Sequence, residues 1–292
     1  MQYQKEFENF LENEDRSTRT INSYIDSLSK FEGWLNVNYG IIDLAIVSFR
    51  EIKEYREYLN ENYAPTSVNQ KLSSIKTFYS FLLIQKVIQN NPSSKIKLIK
   101  VEEHFENQYL TRTEELRVLA VARETNTLAY TLVLILLKTG ARVSEISNLL
   151  ICDMSLEENP TILIRNSKGK KSRYIPISSD VVESLNEWLK ERGKSQKIYH
   201  RRSNYVFISQ RSEKLSVRGI QLILNRIGEK ANIKLYPIRF RASFANNLLQ
   251  NTTIPINILA NLMGHSNVNT TQRYASPSML DKRKYLEKLS EI

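Results

Sequence analysis

The stretch Thr161 to Ser178 reads TILIRNSKGKKSRYIPIS, and its reading decides the fold. Apolar and polar residues alternate on both sides of Lys168-Gly169. That is the two-residue period of a strand, broken by a glycine turn, and it predicts a hairpin. Almost everything on either side has the three-and-four spacing of helices. The chain is therefore expected to be mainly α, with one small antiparallel sheet. Tyr205 to Ser209 is expected to supply a third strand.

Working upstream, Thr111-x-x-Glu114 is a capping box that opens a helix over about 112–123. Helical patterns follow at about 127–139 and 143–150. Tyr130 to Leu137 (YTLVLILL) is a buried helix, far too short to span a bilayer. Downstream, helices are expected at about 179–191, 216–230, 241–250 and 255–262. A short amphipathic helix is expected in the tail, about 278–292, on Met279, Leu280, Tyr285, Leu286 and Leu289.

Further upstream the pattern is all-helical. After Ser17, residues Ile21, Tyr24, Ile25, Leu28, Phe31, Trp34 and Leu35 are expected on one buried face. A second helix is expected from Ser48 to about Asn60. A third opens at Pro65, with Val68, Leu72, Ile75, Phe78 and Leu82 on one side. The stretch QNNPSSKIKLIKVEEHFENQ then loses the helical period. The expected organisation is a helical domain over 1–90, a linker over 91–108 and a second domain over 109–292. His104, in the linker, is read as structural.

Composition narrows the function. The 292 residues are 41% hydrophobic and 25% charged, as expected for a globular protein of two domains. The N-terminus is acidic and lacks the apolar run of a secretory signal. One cysteine, Cys152, excludes an internal disulfide and a cysteine-based metal cluster. The cytoplasm is the expected compartment, with no membrane partner. Net charge is +11, and its split is more useful than its sum. Residues 1–100 carry 13 Lys+Arg against 12 Asp+Glu, whereas the rest carry 29 against 19. The second domain is the one suited to a polyanion. A basic surface kept for solubility is the plain alternative.

Four segments carry candidate chemistry. In TGARVSEISNL, Arg142 follows a glycine that ends an apolar helix, and Glu145 lies three residues on, able to pair with it. In SKGKKSR, Lys168, Lys170, Lys171 and Arg173 crowd the hairpin, where cations can reach phosphates. In IRFRASFANNLL, Arg241 lies off the buried Phe240/Phe244/Leu248 stripe, near a helix start that favours anions. In MGHSNVNTTQRYAS, His265 precedes Tyr274 by nine residues. A tyrosine is a nucleophile only if a base takes its proton and cations stabilise the group attacked. One His, one Tyr, two Arg and one Lys suit attack on a phosphodiester. No carboxylate cluster points to a metal, so no metal or other cofactor is expected.

Each segment alone is weak; their order and spacing together are specific. The chain resembles the tyrosine recombinases of the phage-integrase family, and in size and layout the Xer recombinases. The likeness spans nearly the whole chain. STRTINSYIDSLSKFEGWL and APTSVNQKLSSIKTFYSFLL resemble the family's N-terminal, SAM-like core-binding helices, and NNPSSKIKL its linker. YLTRTEEL, TGARVSEISNL, SKGKKSRYIPIS, ASFANNLL and LMGHSNVNTTQRYA follow in family order.

The resemblance implies a mostly helical catalytic domain that, with the N-terminal domain, clamps duplex DNA. It implies that Tyr274 attacks the scissile phosphate, leaving a 3′-phosphotyrosyl link and a free 5′-OH. Arg142 and Arg241 would hold nonbridging oxygens, and Lys168 would protonate the leaving oxygen. His265 would donate a hydrogen bond or help proton transfer, and Glu145 would orient Arg142. Lys170, Lys171, Arg173 and Arg239 would contact DNA. Partners would be a specific inverted-repeat core site, a homotetramer on two such sites, and helper proteins. Two rounds of exchange would pass through a Holliday junction, in integration, excision, inversion or dimer resolution.

One position departs from the family. Its usual His-x-x-Arg is matched here by Ile238 and Arg241, so isoleucine replaces the histidine. Matching Arg239 instead puts Tyr236 in the histidine place and breaks the register of the helix that follows. Tyr236, Arg239, His200 or water are candidate stand-ins. The alternatives to an active recombinase are a weak or inactive DNA-binding relative, and a type IB topoisomerase. The recombinase-like N-terminal helices and tail weigh against the latter.

Overall fold

The computed structural model describes residues 3–100, 109–165, 172–265 and 271. The chain divides into two compact units, Met1–His104 and Phe105–Ile292.

Among its described residues the first unit has four α-helices, α1 Gln4–Asn13, α2 Thr18–Tyr39, α3 Phe49–Asn62 and α4 Pro65–Ile84, and a 3-10 turn, Leu44–Ile46. Local chemistry sets their starts. The Ser17 hydroxyl accepts from the Thr20 N–H, Ser48 and Glu51 form a capping box, and Pro65 opens α4. Helix α4 is the core element, burying Val68, Leu72, Ile75, Phe78, Tyr79 and Leu82 against the other three. The α1 helix was not anticipated from the sequence; Phe7 and Leu11, four apart, bury its one face, with Phe7 edge-on to Phe78 at 5.2 Å. The Tyr79 hydroxyl donates to the buried Leu44 carbonyl at 3.0 Å.

The stretch expected as linker begins fastened to α4. Lys76 Nζ donates to the Ile96 carbonyl at 2.8 Å, and the Asn69 side chain bonds both the N–H and the C=O of Ile99. Residues 101–108 lie outside the described residues.

The second unit runs α5 Arg112–Thr125, α6 Thr127–Thr139, α7 Val143–Ser147, β1 Met154–Ser155, β2 Thr161–Ile164, β3 Arg173–Pro176, α8 Ser179–Gly193, α9 Ile198–Arg201, α10 Val217–Ala231, α11 Pro237–Asn251 and α12 Ile256–Met263. Helix α6, buried from Leu132 to Leu137, is the centre, flanked by α5, α8 and α11. The three strands pair antiparallel in the order β1-β2-β3. Ile162 faces Ile175, and Ile164 faces Arg173.

Three expectations are corrected. The third strand is Met154–Ser155; Tyr205 makes only an isolated bridge to Leu150, and Val206, Phe207 and Ile208 are buried in succession rather than in alternation. Helix α11 starts at Pro237, four residues before the expected start, because a proline suits the first helical position. The helix expected over 143–150 ends at Ser147 and gives way to a 3-10 turn, Ile151–Asp153. The hairpin tip, 166–171, and the tail expected as a helix lie outside the described residues.

Candidate active site

The site is built on two helix ends. Helix α6 stops at Gly140, with φ +59, and a Cβ there would meet the Phe244 ring at 2.3 Å. Helix α12 stops at Gly264, with φ +67, where a Cβ would meet the Arg173 guanidinium at 2.5 Å. Both positions require glycine, for its left-handed backbone and for its lack of a side chain.

The last carbonyls of a helix have no partner within it and form its negative end. At the end of α12, three successive carbonyls accept from three different arginines. Arg173 Nε donates to Leu262 O at 2.8 Å, Arg241 Nη2 to Met263 O at 2.6 Å, and Arg142 Nη2 to Gly264 O at 3.3 Å. One α12 terminus thus gathers cations from the start of α7, from β3 and from the first turns of α11.

Glu145 ties two of them together. Its carboxylate accepts the Arg142 backbone N–H at 2.7 Å and Arg142 Nη1 at 3.0 Å. On the other side it takes a two-pronged contact from Arg173, at 3.0 and 2.8 Å. Burial works to raise the Glu145 carboxyl, but Arg173, the Arg142 N–H and both positive charges outweigh it and hold it below the ordinary glutamate value. Three guanidiniums against one carboxylate leave a surplus of positive charge, and Arg142, with 44% of its side chain exposed, can present it to an anion.

Arg241 is nearly buried. Besides Met263 it donates to the Gly140 carbonyl and lies 2.7 Å from His265 Nε2. His265 is held on its other ring nitrogen by Thr271 Oγ1, at 2.7 Å. The structure therefore brings Arg142, Glu145, Arg241 and His265 together.

Two residues expected to contact DNA are placed otherwise. Arg173 is only 7% exposed. It shares the inward face of β3 with Ile175, so its charge is spent on Glu145 and Leu262. Arg239 is 12% exposed and pairs with Glu114 at 2.9 and 3.1 Å, while its other terminal nitrogen donates to Lys234 O. It fastens α11 to the capping box of α5. The signal for Arg173 was present in the sequence: it stands two residues before Ile175, on the core-facing register. Thr271 was not singled out from sequence, because nothing local marks it as a histidine's partner.

Ile238, the second residue of α11, is 61% exposed. Of its candidate stand-ins, His200 is buried with Nδ1 on Ser195 and Nε2 on the Ser209 carbonyl, and Arg239 is held by Glu114. Tyr236 N-caps α11 and is partly exposed. Lys168, Lys170, Lys171 and Tyr274 lie outside the described residues. Among the described residues no group of three or more His, Cys, Asp or Glu is placed to hold a metal ion. None of the described helices is long and apolar enough to cross a membrane.

The fold is found in known proteins. The phage integrase family model matches residues 108–280, and the model of the phage integrase N-terminal SAM-like domain matches residues 5–86. The chain belongs to the phage integrase family and is a tyrosine-type site-specific DNA recombinase. It is similar to tyrosine recombinase XerC of Bacillus subtilis, 31% identical over 90% of this chain and 87% of that one. XerC of Lacticaseibacillus casei is 29% identical, covering 96% of each chain. Among solved structures, the XerH site-specific recombinase bound to palindromic difH substrate shares the fold, with TM-score 0.75 over 92% of this chain and 79% of that one, at 21% identity.

Proposed function

We propose that the arginine cluster at the end of α12 is the phosphate-binding heart of a DNA strand-exchange site. The observation that carries this reading is the gathering of Arg142, Arg173 and Arg241 on three successive carbonyls around one carboxylate. In the reaction, Tyr274 attacks the scissile phosphorus and the bond to the 5′ oxygen breaks. Lys168 protonates that oxygen, and the tyrosine proton passes to a base. Arg142 and Arg241 hold the nonbridging oxygens, where charge builds in the transition state. Glu145 sets the angle of Arg142. The energy of the broken bond stays in the 3′-phosphotyrosine, and a partner strand's 5′-OH reverses the step.

The proposal extends to assembly. Residues 1–90 form a DNA-binding domain and 109–292 the catalytic domain, Lys170 and Lys171 meet phosphates, and four copies act on two inverted-repeat sites in the cytoplasm. The relatives' recombinase names and the DNA present in neighbouring structures support this reading. Affinity for DNA is expected to fall steeply with salt.

The test is a suicide substrate, nicked beside the scissile phosphate so that cleavage cannot reverse, with the site taken from DNA flanking the gene. A covalent protein–DNA band is expected with wild type and not with Tyr274→Phe. If Ile238→His raises the rate, the lost histidine limits cleavage. DNA binding without a band in any of the three proteins would overturn the proposal.

A further inference from the structure

The Arg241–His265–Thr271 chain contains more than proximity. A guanidinium only donates hydrogen bonds. Arg241 Nη2 lies 2.7 Å from His265 Nε2, so Nε2 must be the acceptor, with its lone pair towards the arginine. A neutral imidazole then carries its proton on Nδ1. Nδ1 lies 2.7 Å from Thr271 Oγ1, whose lone pairs can receive that proton. Thr271 is fully buried, where a hydroxyl needs a partner. The backbone N–H of His265 donates to Ala260 O at 3.0 Å, which pins the main chain beneath the ring.

We propose that Thr271 is a positioning residue: its hydroxyl receives the Nδ1 proton of His265 and fixes the ring angle, so that the Nε2 acceptor set by Arg241 stays aimed at that arginine. The catalytic consequence rests on the recombinase reading above. In this tautomer His265 enters the reaction able to take a proton at Nε2, and it donates from that atom only after taking one. Position 238, where an acceptor is missing, raises the value of such a group. Thr271 also stands three residues before Tyr274, so one short segment carries both the anchor of the histidine and the nucleophile.

The variants are Thr271→Val, which keeps the shape and removes the oxygen, and Thr271→Ser, which restores it. Full-length protein carrying 15N-histidine has three histidines, and the signals of His265 are assigned by their loss in His265→Gln. The expected wild-type spectrum has the proton on Nδ1 of His265. Thr271→Val should shift or broaden the Nδ1–H signal, which has lost its acceptor, and Thr271→Ser should restore it. On the suicide substrate at saturating DNA, Thr271→Val should cleave roughly 10- to 100-fold more slowly, the range expected when one buried donor loses its partner. Thr271→Ser should return close to wild type, and DNA affinity should not change in either. A proton on Nε2 in the wild type would overturn the proposal, as would a Thr271→Val protein with unaltered Nδ1–H signal and rate. Should the wild type itself fail to cleave, the recombinase reading falls, while the spectra still decide the role of Thr271.

Discussion

Two helix starts in the catalytic unit are built alike and used differently. At α5, Glu114 closes a capping box on Thr111 and accepts the guanidinium of Arg239. At α7, Glu145 likewise accepts the backbone N–H of its N-cap residue, Arg142, the half of such a box that an arginine allows, and it accepts the guanidinium of Arg173. Both carboxyls feel burial pushing them up, and both are held below the ordinary value by backbone N–H groups and an arginine. The difference is a second arginine. Glu145 also holds Arg142, whose guanidinium remains partly exposed, whereas the Glu114 pair presents no comparable cation. A capping glutamate with one arginine is a fastening. With two, one buried and one open, it becomes a mount for an anion-binding group.

Substitutions can break this comparison. The largest effect is expected from Arg173→Ala, which removes the buried partner of the Glu145 carboxylate and leaves it only the partly exposed Arg142; breaking a buried pair costs about 3–5 kcal/mol. Urea unfolding should report it, and cleavage should fall with it because Arg142 loses its mount. A cost under about 1 kcal/mol would show that Glu145 does not depend on Arg173. Arg239→Ala should cost less, roughly 1–3 kcal/mol, since that pair is nearer the surface. At a temperature where it stays folded, this variant should cleave at close to the wild-type rate. A large loss of cleavage in folded Arg239→Ala would erase the distinction between fastening and mount.

The dependence on pH sharpens it further. A carboxyl whose folded pKa is depressed adds stability that is full above its unfolded value, about 4.3 for glutamate, and is lost as pH falls through the folded value. Acid unfolding of the wild type should therefore steepen below the ordinary glutamate range. Glu145→Gln and Glu114→Gln should each flatten that limb. Cleavage should respond only to Glu145→Gln. The smallest effect is expected at Ile238→Ala: at an exposed position away from these pairs, stability should move by no more than about 0.5 kcal/mol. A larger change would mean that Ile238 packs in a way its exposure does not show.

Much of this architecture was legible from local chemistry. Ser17, Ser48, Pro65 and Thr111 each open a helix where the sequence puts them, because capping is settled within four residues. The alternation about Lys168-Gly169 gave β2 and β3, because strand period is a local property. Helix α1 escaped notice although Phe7 and Leu11 show its buried face; the polar residues around them mask a short period. The strand expected at Tyr205 failed because a run buried on every side has no alternation to read.

Local patterns fix most of the elements, their order and the residue types from which the site is drawn. Long-range packing sets which arginine is open, which is buried and which histidine nitrogen faces a cation. The physical reason is distance along the chain. Arg142 reaches a carbonyl 122 residues away, and Arg173 one 89 residues away. No periodicity or cap spans such an interval. The carbonyls at the end of α12 become a meeting point only after the core around α6 has brought α7, β3, α11 and α12 to one place.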